Sequence, residues 1–115
     1  MAALNDITSV LEGEVLTPGS GLETECTKVF ASDLMSDVLA YMEPSSVLLT
    51  GLANSHAVRT ACLLDAAALI IVHGKRPDGK TMDEARANRL PVITTGLSMF
   101  EACSRISACF SERKR

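Results

Sequence analysis

The hydrophobic pattern changes character near residue 47. Beyond it, residues 47–49, 68–72 and 92–94 form short apolar stretches with no regular polar alternation. Each is followed by a polar residue and a glycine: Thr50 and Gly51, His73 and Gly74, Thr95 and Gly96. Stretches this short, without a two-residue alternation, read as strands covered on both faces. Helical segments lie between them. Asn54 caps one that runs to about Leu64. Thr81 and Glu84 form a capping-box pattern ahead of a second, which Pro91 ends. Ser98 and Glu101 form another, opening a last helix whose stripe is Met99, Cys103, Ile106 and Phe110. Strands alternating with helices predict right-handed βαβ units. The expected fold is a three-layer α/β/α domain with a small, largely parallel sheet.

The first half is more mixed. Residues 5–11 read as a short helix capped by Asn5 or Asp6, with Ile7, Val10 and Leu11 as its apolar stripe. Val15 and Leu16 begin a strand that Pro18, Gly19 and Gly21 stop. Residues 25–31 alternate and predict one strand. Residues 33–42 predict a helix with Leu34, Val38 and Met42 on one stripe, widened by Met35 and Leu39. These N-terminal strands are expected to extend the parallel sheet or to form an antiparallel edge. One domain over residues 1–112 is expected, with residues 113–115 as a charged tail.

Composition narrows the class. The 115 residues are 47% hydrophobic and 22% charged, a globular balance rather than a disordered one. At 12.2 kDa, surface scaling gives a folded area of roughly 6,000 Å², which leaves room for a core without staples. The net charge of −3, with no basic cluster before the last four residues, argues against nucleic-acid binding. No apolar run approaches the length of a membrane span, and the first residues carry acids where a secretory signal has bases. A cytoplasmic location is expected. Cys26, Cys62, Cys103 and Cys109 show no C-x-x-C spacing and do not form a ligand pattern with His56 or His73, so neither metal nor disulfide is expected.

Chemistry is expected at the carboxyl ends of the strands, where open α/β sheets bind ligands. Three loops meet there, residues 50–55, 73–79 and 94–98. The positions of interest are Thr50, Gly51, Asn54, His56, His73, Gly74, Lys75, Arg76, Asp78, Thr94, Thr95 and Gly96. Glycine permits close backbone approach, Lys75 and Arg76 bring positive charge, and helix N-termini favour anions. A nucleotide or another phosphorylated small molecule suits that set. Plain structural duties compete: Asn54, Thr81 and Ser98 as helix caps, the glycines as turns. Neither a P-loop nor a dinucleotide fingerprint is present. Asp33 and Asp37 could hold a cation, but acids in the first turn of a helix are explained by its dipole. Ser32 and Ser36 read as caps rather than nucleophiles, with no base beside them. No catalytic constellation emerges, and no cofactor is identifiable.

Three segments in order carry a family resemblance: A-S-D-L-M-S-D-V-L-A at residues 31–40, G-K-R-P-D at 74–78, and P-V-I-T-T-G-L-S-M-F-E at 91–101. Together they resemble the DRTGG domain family over nearly the whole chain, although a literal D-R-T-G-G string is absent. The resemblance implies a domain similar to the N-terminal domain of HPr kinase/phosphorylase, without the kinase centre. It implies accessory, often dimerising modules, such as those between the CBS domains of regulatory pyrophosphatases. No catalytic residue is implied. Ser32, Asp33, Ser36 and Asp37 then become structural or interface positions. The resulting expectation is a non-catalytic regulatory or interaction module, a homodimer, sensing a nucleotide or phosphorylated metabolite at the strand ends. The alternative is an accessory enzyme domain in phosphoryl or acyl transfer.

Overall fold

A computed structural model describes residues 2–17 and 21–112. The turn residues Pro18 and Gly19 and the tail at 113–115 lie outside them. The elements in chain order are β1 (Ala2–Ala3), α1 (Leu4–Val10), β2 (Glu14–Val15), β3 (Glu25–Cys26), β4 (Val29–Ala31), α2 (Met35–Tyr41), β5 (Val47–Thr50), α3 (Ser55–Leu63), β6 (Ala68–Ile71), α4 (Gly79–Ala87), β7 (Val92–Thr94) and α5 (Met99–Glu112). Five strands form one sheet in the order β2-β7-β6-β5-β4. β4, β5, β6 and β7 are parallel, and β2 closes the far edge antiparallel to β7.

The apolar runs are the sheet's centre. Every residue of β5, β6 and β7 is buried. Alternation along each strand divides their side chains between two layers. Leu48, Leu69, Ile71 and Val92 pack under α2, α3 and α4, while Val47, Leu49, Ala68, Ile70 and Ile93 pack against α1 and α5. The sheet thus needs both faces covered, and that requirement is why its strands read as continuous hydrophobic runs. The accessible area is 6088 Å², close to the roughly 6,000 Å² that surface scaling gives for a folded chain of this mass.

Both expectations for the N-terminal strands are met, by different strands. β4 extends the parallel sheet beside β5, and β2 supplies the antiparallel edge. The single strand expected over 25–31 is two. β3 pairs with β1 in a separate two-stranded sheet, with Cys26 opposite Ala2. Cys26 is fully buried there, and the chain turns through Thr27 and Lys28 before β4 joins β5. An unbroken strand could not serve both partners.

Three helix starts also differ from expectation. α1 begins at Leu4 with Ala3 in the cap position and no side-chain cap. α2 begins at Met35, so Asp33 lies outside the helix; the buried stripe is Met35, Val38 and Met42, with Leu34 and Leu39 exposed. The dipole explanation therefore survives for Asp37, in the first turn, and fails for Asp33. α4 begins at Gly79 because Asp78 is its cap: the Asp78 carboxylate accepts from the Thr81 backbone N–H at 2.8 Å. Glu84 is thereby free of capping duty and turns to α3 instead. At its other end α4 stops at Ala87, with Asn88 in the cap position, so the helix is over before Pro91 is reached. The caps at Asn54, accepting from Ala57 N–H at 3.0 Å, and at Ser98, accepting from Glu101 N–H at 3.2 Å, form as expected.

Candidate functional site

Parallel strands bring the loops after β4, β5, β6 and β7 to one rim of the sheet. Because β2 runs the other way, its first residue, Glu14, reaches the same rim opposite Thr94. All twelve ligand-site positions expected from the sequence fall on the last residues of these strands, on the loops, or on the first turns of the helices that follow.

Three rim threonines turn inward. Thr50, fully buried, donates from its hydroxyl to the Asp33 carboxylate at 2.9 Å. Thr94 donates to the Lys75 carbonyl at 2.8 Å, and Thr95 donates to the Leu11 carbonyl at 2.7 Å. A buried polar group must be hydrogen-bonded, and these three hydroxyls are already committed to holding the rim together. Asp33 also accepts from the Gly51 backbone N–H at 2.6 Å, so one carboxylate ties the end of β4 to the end of β5. A side chain on Gly51 would come within 3.4 Å of that carboxylate. Ser32 accepts from the Leu34 N–H at 3.0 Å and shapes the turn into α2. Ser36 and Asp37 are exposed on the first turn of α2.

The loop after β6 has a different character. His73 (φ 64°) and Gly74 (φ 69°) take successive left-handed conformations. For glycine that is free of strain; for histidine it costs of order 1 kcal/mol. Backbone bonds hold the turn: His73 N–H to the Leu97 carbonyl at 2.9 Å and Gly74 N–H to the Thr95 carbonyl at 2.7 Å. Gly74 and Gly96 thus face one another, a Cβ on Gly74 lying 4.0 Å from the Gly96 Cα. Space beside Gly96 is open, with no heavy atom within 4 Å of where its Cβ would stand.

The charges here are unequally engaged. Arg76 pairs with Glu14 across the rim. Asp78 is held below the usual carboxylate range, first by the Thr81 backbone N–H, then by the Thr81 side chain, with Lys80 adding to both. Lys75 makes no ion pair among the described residues, and the imidazoles of His73 and His56 are exposed without a hydrogen-bond partner. The rim therefore offers the ammonium groups of Lys75 on the loop and Lys80 on the first turn of α4, two exposed imidazoles, the Asn54 amide N–H groups and two glycine turns. No group of three or more metal-ligating side chains occurs among the described residues. The thiols of Cys26, Cys62 and Cys103 are pushed up by burial, consistent with packing roles.

Two features were not anticipated. Glu14 joins the rim because β2 is antiparallel, which no local signal announces. A groove of about 410 Å³ lies between the edge strand β4 and α5, lined by Thr27, Val29, Ala31, Cys103, Ile106 and Phe110. Its signals were the odd-numbered face of β4 and the stripe of α5, each present in the sequence but not seen as neighbours.

This order of strands, with helices on both faces and loops gathered at the carboxyl rim, defines an open, doubly covered α/β domain. A family model for the DRTGG domain matches residues 6–109, and the chain belongs to that family. Among solved structures it is similar to the CBS and DRTGG domains of the regulatory region of Clostridium perfringens pyrophosphatase, crystallised with the activator diadenosine tetraphosphate. The TM-score is 0.79 at 20% identity, over 91% of this chain and 46% of that one, so this chain spans about half of that regulatory region. None of the curated proteins matches the chain. No helix among the described residues is long and apolar enough to cross a membrane.

Proposed function

We propose that this protein is a non-catalytic regulatory module of the cytoplasm, acting as a homodimer, that senses a nucleotide or phosphorylated metabolite at the carboxyl rim. The observation that carries the reading is the pairing of Gly74 with Gly96 beside Lys75, the cation of that loop without an ion pair. Two side-chain-free turns let a phosphate approach the backbone, and an unengaged ammonium supplies the charge. The Arg76–Glu14 pair fixes the flank of the loop without adding net charge. The threonines that would be needed for hydroxyl chemistry are spent on internal bonds, and the two hydroxyl–carboxylate pairs of the rim have structural uses: Thr50 with Asp33 closes the β4–β5 corner, and Ser55 with Glu84 joins α3 to α4. The regulatory region of a pyrophosphatase that contains this fold is complexed with a dinucleoside tetraphosphate, which supports a nucleotide as the ligand class.

Thermal unfolding against adenine and guanine mono-, tri- and dinucleoside polyphosphates tests this. Ligand at about 100 times its dissociation constant stabilises the native state by roughly 2.7 kcal/mol. A shift with wild type that is absent in Lys75→Ala supports the site. No shift with any of these compounds removes the sensing role.

A further inference from the structure

The two edges of the sheet are protected unequally. β2 is two residues long and presents the ion-paired Glu14. β4 presents Val29, Phe30 and Ala31, with no charge, proline or bulge to discourage another strand. Its inward bonds run through alternate residues: the Val47 N–H donates to the Lys28 carbonyl at 2.9 Å, and the Ser32 N–H donates to the Leu49 carbonyl at 3.0 Å. In a parallel ladder that leaves the N–H and C=O groups of Val29 and Ala31 directed outward. The same two residues line the groove against α5.

We infer that β4 is the self-association edge: two copies join their β4 strands antiparallel across a two-fold axis at Phe30, making one continuous ten-stranded sheet. This rests on the homodimer reading above and specifies its surface. The strand is self-complementary about that axis. Val29 of each copy stands opposite Ala31 of the other, so the outward groups exchange hydrogen bonds twice over, and a large side chain meets a small one in each groove. Charge favours the same orientation. Lys28, which pairs with Glu43 at 2.9 Å within its own copy, precedes the strand and Asp33 follows it, so antiparallel pairing sets the Lys28 end of one copy beside the acidic end of the other. Parallel pairing sets like beside like.

Area is the remaining requirement. A stable interface takes about 800 Å² from each partner, roughly an eighth of this chain's 6088 Å². Three strand residues are too few. The segment that follows β4 supplies more: Leu34, Leu39 and Tyr41 are three of the five large hydrophobic residues exposed among the described residues. Phe110, at the groove wall, adds to them.

Sedimentation and residue-resolved amide exchange on the whole chain, from low micromolar to submillimolar concentration, decide the matter together. The expected result is a dimer whose formation slows exchange at the Val29 and Ala31 amides, while Ser32, bonded within the copy, is protected throughout. Ala31→Lys, with unchanged thermal unfolding at low concentration, should abolish the dimer. A dimer in which the Val29 and Ala31 amides still exchange rapidly overturns this edge and leaves the homodimer standing. A chain that stays monomeric across the range overturns both. Exchange on the unaltered chain settles the question even where the lysine variant fails to fold.

Discussion

The rim's two ends use similar residues for opposite purposes. At the β4–β5 end, Asp33 gathers the Thr50 hydroxyl and the Gly51 N–H onto one carboxylate oxygen and closes that corner. At the β6–β7 end, Thr94 and Thr95 also turn inward, but onto backbone carbonyls. Their bonds fix the loop from beneath, so the side chains of His73 and Lys75 are held outward while the backbone of the turn is bonded inward. A polar residue at the end of a buried strand is thus a poor guide to a ligand. The uncommitted side chains lie one or two positions later, on backbone that its neighbours have made rigid.

Several substitutions would break or sharpen that contrast. The largest effect is expected from Thr95→Val, which strands the Leu11 carbonyl beneath a nearly isosteric side chain. A loss of about 1–3 kcal/mol in urea unfolding is expected, with the nucleotide response weakened only through loss of the fold. Asp33→Ala removes the acceptor shared by Thr50 and Gly51 and should cost about 1–2 kcal/mol by the same measurement, leaving any Lys75-dependent nucleotide shift intact. Should Asp33→Ala abolish that shift, the two ends of the rim form one site and the contrast fails. Gly74→Ala places a side chain at φ 69°, for about 1 kcal/mol of destabilisation, together with loss of the ligand response. Lys75→Ala should leave stability within about 0.5 kcal/mol of wild type and remove the ligand response alone.

The smallest effect concerns acid, at the contact of α3 with α4. Glu84 joins α4 to α3 by accepting from the Ser55 hydroxyl at 2.6 Å and from Arg59 at 3.1 Å. The Ser55 bond foremost, then Arg59, hold its carboxyl below the ordinary glutamate range. A depressed folded value means that its contribution to stability is fully present above the ordinary range. It is lost as pH falls through the depressed value. Chemical unfolding from pH 7 downward should therefore show a steeper acid loss for wild type than for Glu84→Gln. Equal slopes would show that this bond adds nothing.

Much of the architecture was legible because β5, β6 and β7 must be apolar on both faces, a demand that leaves a mark on single residues. The caps at Asn54 and Ser98 were legible for the same reason: each acts within one turn of itself. What escaped was non-local or contested. Residues 25–31 alternate as one strand should, yet Cys26 answers to Ala2 and Val29 to Val47. Asp33 has the credentials of a helix acid and instead serves a loop seventeen residues away. Thr81 reads as the cap, yet Asp78, three residues earlier, takes that place because its carboxylate accepts the Thr81 N–H directly. At the rim the loops were legible, since parallel strands ending in glycine place them together. The inward turn of the threonines was not, because their partners, Leu11 and Lys75, are distant in sequence from at least one of them.

The pairing of β2 with β7 bears on how the molecule comes into being. Glu14 and Val15 leave the ribosome early, and their partners Thr94 and Ile93 emerge some eighty residues later. Throughout that interval the leading segment has no ladder to join. Closing so long a loop is entropically slow, and β2 joins the sheet only after β7 exists. A chain stalled before residue 92 would expose the flank of β6, a ready template for pairing with a neighbouring nascent copy.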